Sequence, residues 1–385
     1  MQMENTLASV GLFCVLLVGG FGSHCPCENK ELCHPINDTA IKEVFVFSKN
    51  PGERIWRQYD WDKMTTIVVV GFVSSSLMCF AHEHNVRIVS VATFQKSDLA
   101  NSTLIEEWIE KQISHVKRKH LDGINIDFEQ PIPKNQPLLN RAFTDMVRLT
   151  NEKFKEEMPS SQVTVDVAWS PNCIDRRCYD YAALAEASDF LFVMSYDHRS
   201  QIFERCVAGA NSGYYKAQKG LEDYLALGIP AEKLVLGLPW YGMKYPCLEI
   251  DDSDVCSIRY VSFLGAFCSQ KAGTQKCFSD IYPLADESAS GRMWDNRSLS
   301  PYFIHTDPYA GQTFQFWYDD PESLSSKFGL ASRLGLRGVG VWRADCLDYS
   351  DKEEALAITD KMWDAIPTFH IHDHESSSPI SFVFN

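Results

Sequence analysis

The chain carries comparatively little positive charge. Lys and Arg number 36 against 51 Asp and Glu, which leaves a formal net charge of −15 at pH 7. That balance argues against nucleic acid or an anionic membrane surface as a partner. Beyond the N-terminus, no apolar stretch reaches the roughly 18 residues that a membrane-spanning helix needs. We therefore expect the mature protein to have no membrane partner.

Metal-binding and phosphate-binding patterns are also missing. Paired Cys-x-x-Cys units with matching His do not occur, and the 11 histidines show no metal-binding spacing. A Gly-rich phosphate loop does not occur either. We therefore expect neither a metal nor a cofactor. The length of 385 residues and an apolar content of 45% are those of a folded protein with a large core.

The long apolar run of this sequence lies at the N-terminus, over residues 8–22, and it ends in small residues. It is short for a membrane span, and it predicts a secretory signal peptide over residues 1–23. A retained anchor is the alternative, because no Lys or Arg precedes the run. Sequons for N-glycosylation at Asn37, Asn101 and Asn296 fit passage through the secretory pathway.

The cysteines support the same compartment. Of 13 cysteines, Cys14 belongs to the predicted signal, which leaves an even set of 12. Many lie close together in sequence, which predicts disulfides that close local loops. Zinc is the competing interpretation. The close groups are Cys25, Cys27 and Cys33; Cys173 and Cys178; and Cys247, Cys256, Cys268 and Cys277. We expect a glycoprotein of the lysosome, or alternatively a secreted one.

Apolar, β-rich runs alternate with helical patterns along the chain. Eight such alternations predict an α/β fold, a (β/α)8 TIM barrel over residues 24–385, rather than an open doubly wound sheet. A segment of about 243–311 has turn formers and four cysteines, and it predicts a small insertion subdomain after the seventh strand. A disordered loop is the alternative. Strands are predicted at 43–49, 65–72, 87–94, 123–129, 163–169, 190–197, 234–241 and 338–345, and helices at 102–119, 136–158, 179–187, 216–227, 321–334 and 352–365.

The fourth predicted strand has the most informative pattern. Asn125, Asp127 and Glu129 alternate with bulky apolar residues, so in a strand all three polar side chains point to one face. The carboxyl ends of barrel strands form the active site of such folds, which makes Glu129 the outermost acid. A half-solvated strand face without function is the alternative.

Four motifs in this chain resemble those of glycoside hydrolase family 18, the chitinase family. Residues 122–129 resemble its D-x-x-D-x-D-x-E signature, and 194–197 resemble its sixth-strand M-x-Y-D. Residues 237–242 resemble its seventh-strand G-x-P-x-Y-G, and Trp342 matches its eighth-strand tryptophan. All four occur in the family order across roughly 40–365. Together they are a specific resemblance.

The resemblance implies a retaining mechanism in which the substrate supplies the nucleophile. Glu129 would protonate the glycosidic oxygen, and the 2-acetamido oxygen of the sugar would attack the anomeric carbon. Asp127 would accept the acetamido N–H, Tyr196 would bind the acetamido oxygen, and Asp197 would help to hold the distorted sugar. A second carboxylate nearby should also raise the pKa of Glu129.

Other residues of the motifs have competing interpretations. Met194 and Tyr196 either line the sugar site or fill the barrel, and Trp342 is either a stacking platform or core. Tyr241 lies either at the rim or in the core. Asp166 either projects inward beside the acids or makes a structural hydrogen bond. Asn125 replaces the middle aspartate of the family signature, and we expect its amide to bond Asp127.

The third strand also departs from the family pattern, since 90–93 reads Ser-Val-Ala-Thr where the family has S-x-G-G. Within the family, the chain is most like enzymes that cleave the β-1,4 bond of N,N′-diacetylchitobiose units. That likeness implies action from the reducing end, on oligosaccharides from asparagine-linked glycoproteins. The alternatives are a secreted endo-acting chitinase and a chitin-like lectin without activity. We expect a GlcNAc-containing oligosaccharide as the partner and a monomer.

Overall fold

A computed structural model of the protein describes residues 25–27, 29–37, 42–49 and 52–368. Eight parallel strands form a closed barrel, and the last strand pairs with the first. These strands are Glu43–Ser48, Thr66–Val69, Arg87–Ala92, Gly123–Ile126, Gln162–Ala168, Phe190–Met194, Leu234–Pro239 and Gly338–Trp342. The predicted TIM barrel is confirmed, and each strand ends slightly earlier than predicted. The predicted signal peptide lies outside the described residues.

Aromatic rings fill the barrel interior. Phe192 projects to the axis, where its ring lies 5.6 Å from that of Phe45 and 4.9 Å from that of Phe47. Glycines on two neighbouring strands make this possible, because a Cβ at Gly237 or Gly340 would lie 2.2 or 2.8 Å from the Phe192 ring. The packed rings close the barrel below its carboxyl end. Polar groups are therefore collected at the mouth.

The helices cover the outside of the barrel. The six predicted ones occur as Ser102–Lys119, Pro137–Glu157, Tyr181–Ala187, Tyr214–Ala226, Pro321–Arg333 and Glu353–Asp364. Sequence analysis missed Glu53–Trp56, Ser75–Glu83 and Phe278–Glu287. The second begins after Ser74, whose hydroxyl accepts from the Leu77 N–H at 3.2 Å. Its apolar residues lie so close together that no helical period is visible. No helix in the described part of the chain has the length and apolarity of a membrane span.

A small antiparallel domain separates the seventh and eighth barrel strands, which confirms the predicted insertion. Its five-stranded sheet begins with Tyr241–Pro246, two residues after the seventh strand ends. In spatial order the strands are Thr274–Cys277, Tyr241–Pro246, Thr313–Trp317, Ser300–Thr306 and Met293–Asp295. A two-stranded sheet, Glu249–Ile250 with Cys256–Ser257, and the helix Phe278–Glu287 complete it.

Six disulfides connect the twelve cysteines of the described residues. Three of them close short loops, as predicted: Cys27–Cys33, Cys173–Cys178 and Cys247–Cys256. The sequence predicted no pairing for the other three, Cys25–Cys79, Cys206–Cys268 and Cys277–Cys346, whose partners are 54, 62 and 69 residues apart. Loops from distant segments meet at the barrel mouth, so two of these bonds tie the insertion to barrel loops.

Candidate active site

Polar side chains at the carboxyl ends of the barrel strands surround a cavity of about 180 Å³. Seven of the eight residues that the sequence assigned to catalysis or substrate contact line it, and Asn125 is the exception. The lining residues are Asp127, Glu129, Asp166, Met194, Tyr196, Asp197, Tyr241, Gln275 and Trp342. Side chains from the ends of four barrel strands and from the insertion therefore converge on one space.

Glu129 lies at the rim of this cavity beside a buried arginine. Its side chain is 53% exposed, whereas that of Arg177 is 7% exposed. Arg177 Nη1 donates to Glu129 Oε2 at 2.6 Å, and Nη2 donates to Asp175 Oδ2 at 3.2 Å. Charge-assisted bonds of this kind orient a carboxylate strongly. The pair fixes the direction of Glu129 at the cavity edge.

A strained loop delivers Arg177 to this position. The disulfide Cys173–Cys178 closes the loop, and three of its non-glycine residues have positive φ: Cys173 at 56°, Asp175 at 53° and Arg176 at 59°. Such conformations cost free energy and persist only where the surroundings enforce them. The loop therefore places a guanidinium beside the outermost acid at a cost in backbone strain.

Asp127 lies one layer below Glu129 and is mostly buried. Burial, and then the charge of Glu129, raises the pKa of Asp127 to about 6, while Arg177 opposes the shift. The sequence predicted that Asp127 raises the pKa of Glu129, whereas the structure shows that Glu129 raises the pKa of Asp127. Oδ1 of Asp127 is buried and has no hydrogen-bond partner among the described residues. An acceptor is therefore available inside the site.

The prediction for Asn125 was wrong. Its side chain is fully buried, and Nδ2 donates to Thr164 Oγ1 at 3.0 Å and to Asp166 Oδ1 at 2.9 Å rather than to Asp127. Side chains two residues apart on one strand are roughly 7 Å apart, whereas neighbouring strands are only about 4.8 Å apart. The amide therefore bonds across to the fifth strand, and it lies below the cavity rather than in its wall.

Three side chains form another part of the cavity wall, two of them just after the sixth strand and one on the first strand of the insertion. Tyr241 Oη donates to Asp197 Oδ1 at 2.6 Å, and the rings of Tyr196 and Tyr241 lie 5.9 Å apart, edge to face. Burial, more than the nearby carboxyls, raises the pKa of Tyr196 far above its usual range, so its phenol remains a hydrogen-bond donor. Burial also raises the pKa of Asp197, although its bond from Tyr241 opposes this.

Trp342 forms the floor of the cavity. It is half-buried at the end of the eighth barrel strand, and its ring lies 5.1 Å from that of Phe47 at the top of the aromatic core. One face of the indole is thereby supported by the core, and the other borders the cavity. Met194 lines the same space. Both residues contribute to the core and to the site, so the two sequence interpretations are not exclusive.

A second cavity, of about 350 Å³, continues from the first. The two share Asp197 and Gln275 as lining residues. The Asp175 N–H donates to Gln201 Oε1 at 2.9 Å, and Gln201 Nε2 donates to the Leu264 carbonyl at 3.2 Å. These bonds join the loops after the fifth and sixth strands to the insertion. The joined loops form a wall on this side of the site.

Sulfur atoms form the one group of potential metal ligands that the described residues bring together, at Cys25, Cys27 and Cys79. All three already belong to the disulfides Cys25–Cys79 and Cys27–Cys33. The group lies in the N-terminal segment rather than at the barrel mouth.

Comparison with known proteins agrees with this geometry. The sequence model of Glycosyl hydrolases family 18 matches residues 87–346. The chain belongs to glycoside hydrolase family 18. It is an O-glycoside hydrolase of the chitinase type, and the family resemblance of the sequence motifs is confirmed.

Two sequence relatives and two solved structures show how far the likeness extends within family 18. The chain is 45% identical to Di-N-acetylchitobiase of Rattus norvegicus over 342 residues, which is 89% of this chain and 92% of the rat protein. It is 43% identical to Di-N-acetylchitobiase of Homo sapiens over 345 residues, which is 90% of this chain and 89% of the human protein. The barrel resembles a chitinase of Rhizomucor miehei with a TM-score of 0.64 and 21% identity, over 84% of this chain and 99% of that one. It resembles a family 18 N-acetylglucosaminidase of Paenibacillus barengoltzii with a TM-score of 0.65 and 18% identity, over 84% and 100%.

Three residues of the site lie outside the family 18 motifs and were missed or left open by sequence analysis. Arg177 and Gln275 were missed, because a loop and an insertion strand carry them, and neither has a periodic signal. Asp166 was left open, and the structure shows both of its alternatives together. It lines the cavity and also accepts a hydrogen bond from Asn125. The one sequence feature that pointed to Arg177 is its position between Cys173 and Cys178, two cysteines close enough in sequence to close a short loop.

Proposed function

We propose that this family 18 enzyme hydrolyses the β-1,4 bond of N,N′-diacetylchitobiose units by substrate-assisted, retaining catalysis. The observation that carries the proposal is the stacking of Glu129 above Asp127 at the wall of a cavity floored by Trp342. The names and the high coverage of the chitobiase relatives support this substrate class. The physiological substrate would be the core of asparagine-linked oligosaccharides.

Glu129 acts first as the general acid. It donates a proton to the glycosidic oxygen while the 2-acetamido oxygen of the substrate attacks the anomeric carbon. The bond to the leaving sugar breaks, and a cyclic oxazolinium ion forms. Because Glu129 is partly exposed, its carboxyl can reach the oxygen of the leaving sugar and later the water that enters the site.

Asp127 holds the group that performs the attack. Its unpaired, buried oxygen accepts the acetamido N–H, which orients the carbonyl oxygen toward the anomeric carbon. Its negative charge then stabilises the cationic intermediate in a site of low dielectric. Glu129 finally takes a proton from water, which attacks the same face, and retention results.

The remaining residues bind the sugar in a strained geometry. The Tyr196 phenol donates to the acetamido oxygen, and the Asp197 carboxyl, oriented by Tyr241, binds a sugar hydroxyl. Trp342 stacks against the apolar face of the ring, and Met194 packs beside it. These contacts strengthen as the ring flattens in the transition state.

The loops that bound one side of the site support action from the reducing end. The second cavity adjoins the cleavage position, and its neighbouring loops are held by Cys206–Cys268 and by the bonds of Gln201. A space bounded in this way on one side suits one leaving sugar better than a continuing polymer. We propose that this cavity receives the reducing-end GlcNAc.

One assay tests the activity and separates the alternatives. Purified protein is incubated at acidic pH with chitotetraose labelled at its reducing end, and the products are followed over time. Release of labelled single GlcNAc supports the proposal. Labelled dimers would instead identify an endo-acting chitinase, and binding without turnover a lectin.

The Glu129→Gln variant is the matched control in this assay. It should lower kcat by at least about 10²-fold, because its amide cannot donate a proton to the leaving oxygen. Its fold should be intact, as checked by the thermal unfolding midpoint. Near-normal activity of this variant would remove Glu129 from the mechanism.

The route through the cell is a separate proposal. We propose a lysosomal glycoprotein that functions as a monomer, with glycans at Asn37, Asn101 and Asn296. All three are exposed, and Asn101 caps its helix through Oδ1, which accepts from the Thr103 N–H at 3.1 Å and leaves Nδ2 for a glycan. Enzymatic removal of N-glycans should lower the mass at these three sites. An unchanged mass would contradict the assignment.

A further inference from the structure

Asp166 lies directly beside Asp127 on the neighbouring strand. The fourth and fifth strands pair in parallel with Asn125 opposite Thr164 and Ile126 opposite Val165. The next position in that register places Asp127 opposite Asp166, with both side chains on the inner face of the barrel. Both line the 180 Å³ cavity, and Asp166 is only 4% exposed. Two carboxyl groups are therefore adjacent in a buried place.

Hydrogen bonds engage one oxygen of Asp166 and leave one oxygen of Asp127 without a partner. Asn125 Nδ2 donates hydrogen bonds to Asp166 Oδ1 and Thr164 Oγ1. Within the described part of the chain, no protein donor reaches the other oxygen of Asp166 or Oδ1 of Asp127. Two adjacent, mostly buried carboxyls cannot both be ionised at low cost.

The surrounding charges agree with a shared proton. Burial, and then the charge of Asp127, raises the pKa of Asp166 well above its usual range, and the bond from Asn125 only partly offsets this. The charged and titratable groups that line the cavity of the pair or interact with it follow three barrel strands or belong to the insertion. They are Glu129 after the fourth strand, Arg177 and Tyr179 after the fifth, Tyr196 and Asp197 after the sixth, and Tyr241 in the insertion. Arg177 already pairs with Glu129 and Asp175. It contributes no hydrogen bond to the carboxyl pair.

Resting on the proposed role of Asp127, we infer that Asp166 is a positioning residue that holds a proton shared with Asp127. With substrate absent, the proton lies between the two carboxyls. When the Asp127 carboxylate turns to the acetamido N–H, the proton stays on the free oxygen of Asp166, and the pair keeps a net charge of −1. Asp166 forms no bond to the substrate.

This inference also explains why the chain can have Asn at position 125. The amide cannot hold a proton, but its bond to Asp166 Oδ1 leaves the other oxygen of Asp166 free for the shared proton. The acid that the family signature has on the fourth strand is thus supplied by the fifth. The carboxyl that shares a proton with Asp127 thus lies on the neighbouring strand.

A swap of the two side chains tests the inference. Chitobiose hydrolysis is measured between pH 3 and 8 for wild type, Asp166→Asn, and the double variant Asn125→Asp/Asp166→Asn. The single variant should lower kcat by roughly 10²-fold, as expected for a misplaced catalytic group. The alkaline limb that loss of the shared proton sets should be absent from this variant, because an amide at position 166 has no proton to lose. The double variant should recover roughly tenfold in kcat, as coupled neighbours do.

Thr164→Val is the matched control. It removes the second hydrogen-bond acceptor of the Asn125 amide but leaves both carboxyl groups, and so the shared proton, in place. Its alkaline limb should stay in place, and unfolding midpoints of all variants are measured alongside. Wild-type kcat and pH limb in Asp166→Asn would overturn the inference. So would lost activity in Asp166→Asn that the double variant does not recover, which indicates a structural role. Absence of turnover by wild type would instead defeat the proposed function.

Discussion

Two buried aspartates at opposite ends of the fourth strand differ in how their oxygens are used. Asp122, at the start of the strand, accepts from the backbone N–H groups of Ile36 and Ile88, both at 2.7 Å. Its second oxygen also lies 3.0 Å from His82 Nε2. Asp127, at the other end, has a buried oxygen with no partner in the described part of the chain.

The difference separates a structural acid from a functional one. Protein donors saturate Asp122, and through it the N-terminal segment, the third strand and the helix Ser75–Glu83 are joined. Asp127 is mostly buried beside another carboxylate, and one of its oxygens has no hydrogen-bond donor. Such an arrangement lowers the stability of the fold. Such a cost is reasonable where a substrate group supplies the missing donor. The presence or absence of protein hydrogen-bond donors distinguishes the structural aspartate from the functional one.

The largest effect on stability should come from Asp122→Ala. The variant leaves two buried N–H groups and His82 without their acceptor, so the free energy of unfolding should fall by about 3–5 kcal/mol. Denaturant unfolding at pH 5 measures it. The kcat of the folded fraction should stay near wild type, because Asp122 is at the far end of the barrel. A variant of normal stability would mean that other contacts hold the N-terminal segment.

The Asp127→Asn variant should show the opposite combination. Its kcat should fall by about 10²–10³-fold, the usual scale for a lost electrostatic stabiliser. The free energy of unfolding should be unchanged or higher, because the change removes a buried carboxyl with an unpaired oxygen. Steady-state kinetics and denaturant unfolding on one preparation measure both. Loss of stability equal to that of Asp122→Ala would erase the distinction between the two aspartates.

The strand-borne part of this molecule could be predicted from the sequence, for a physical reason. Strands of a parallel barrel are buried on both faces, so most of them are apolar runs. Residues 123–129 and 162–167 differ, because polar and apolar residues alternate there with period two. That period correctly placed Asp127 and Glu129 on the cavity. It could not give the partner of Asn125, since the bond runs across strands and depends on their register.

Loop-borne features were beyond the sequence. Arg177 reaches Glu129 only because its closed loop takes positive φ at three non-glycine residues, and no side-chain pattern encodes that path. The long disulfides Cys206–Cys268 and Cys277–Cys346 likewise depend on which loops meet above the barrel. Local spacing predicted the short bonds because sequence distance and spatial distance agree there.

A smaller effect is expected at Arg177. The positive charge of Arg177 opposes the raised pKa of Asp127. Arg177→Gln should therefore move the alkaline limb of kcat/KM, set by loss of the proton that Asp127 shares with Asp166, to higher pH than in wild type. At pH 5, kcat/KM should fall roughly tenfold, the value of one charge-assisted hydrogen bond. Arg177→Lys keeps the charge and should return the limb toward wild type. An unmoved limb in the Gln variant would show that Arg177 only supports the loop.

The smallest effect is the pH dependence of stability that His82 adds at the structural end. Burial alone would lower the pKa of His82, but the hydrogen bond and charge of Asp122 and the Leu32 carbonyl raise it above 6.5. Protonated His82 therefore stabilises the fold fully below about pH 6.5, and this contribution is lost as pH rises through the folded-state value. Asp127 acts in the same direction, because its folded-state pKa of about 6 exceeds 3.8. The protein should accordingly be more stable at pH 5 than at pH 7.5.

His82→Gln isolates the histidine part of that slope. Glutamine can still donate to Asp122 but cannot titrate, so the part of the stability difference between pH 5 and pH 7.5 that His82 contributes should vanish. His84→Gln, at an exposed position at the end of the same helix, should keep the wild-type slope. If both variants keep it, the pH dependence belongs to the carboxyls at the barrel mouth. Asp122 would then hold a neutral imidazole, and the structural end of the strand would be insensitive to pH in this range.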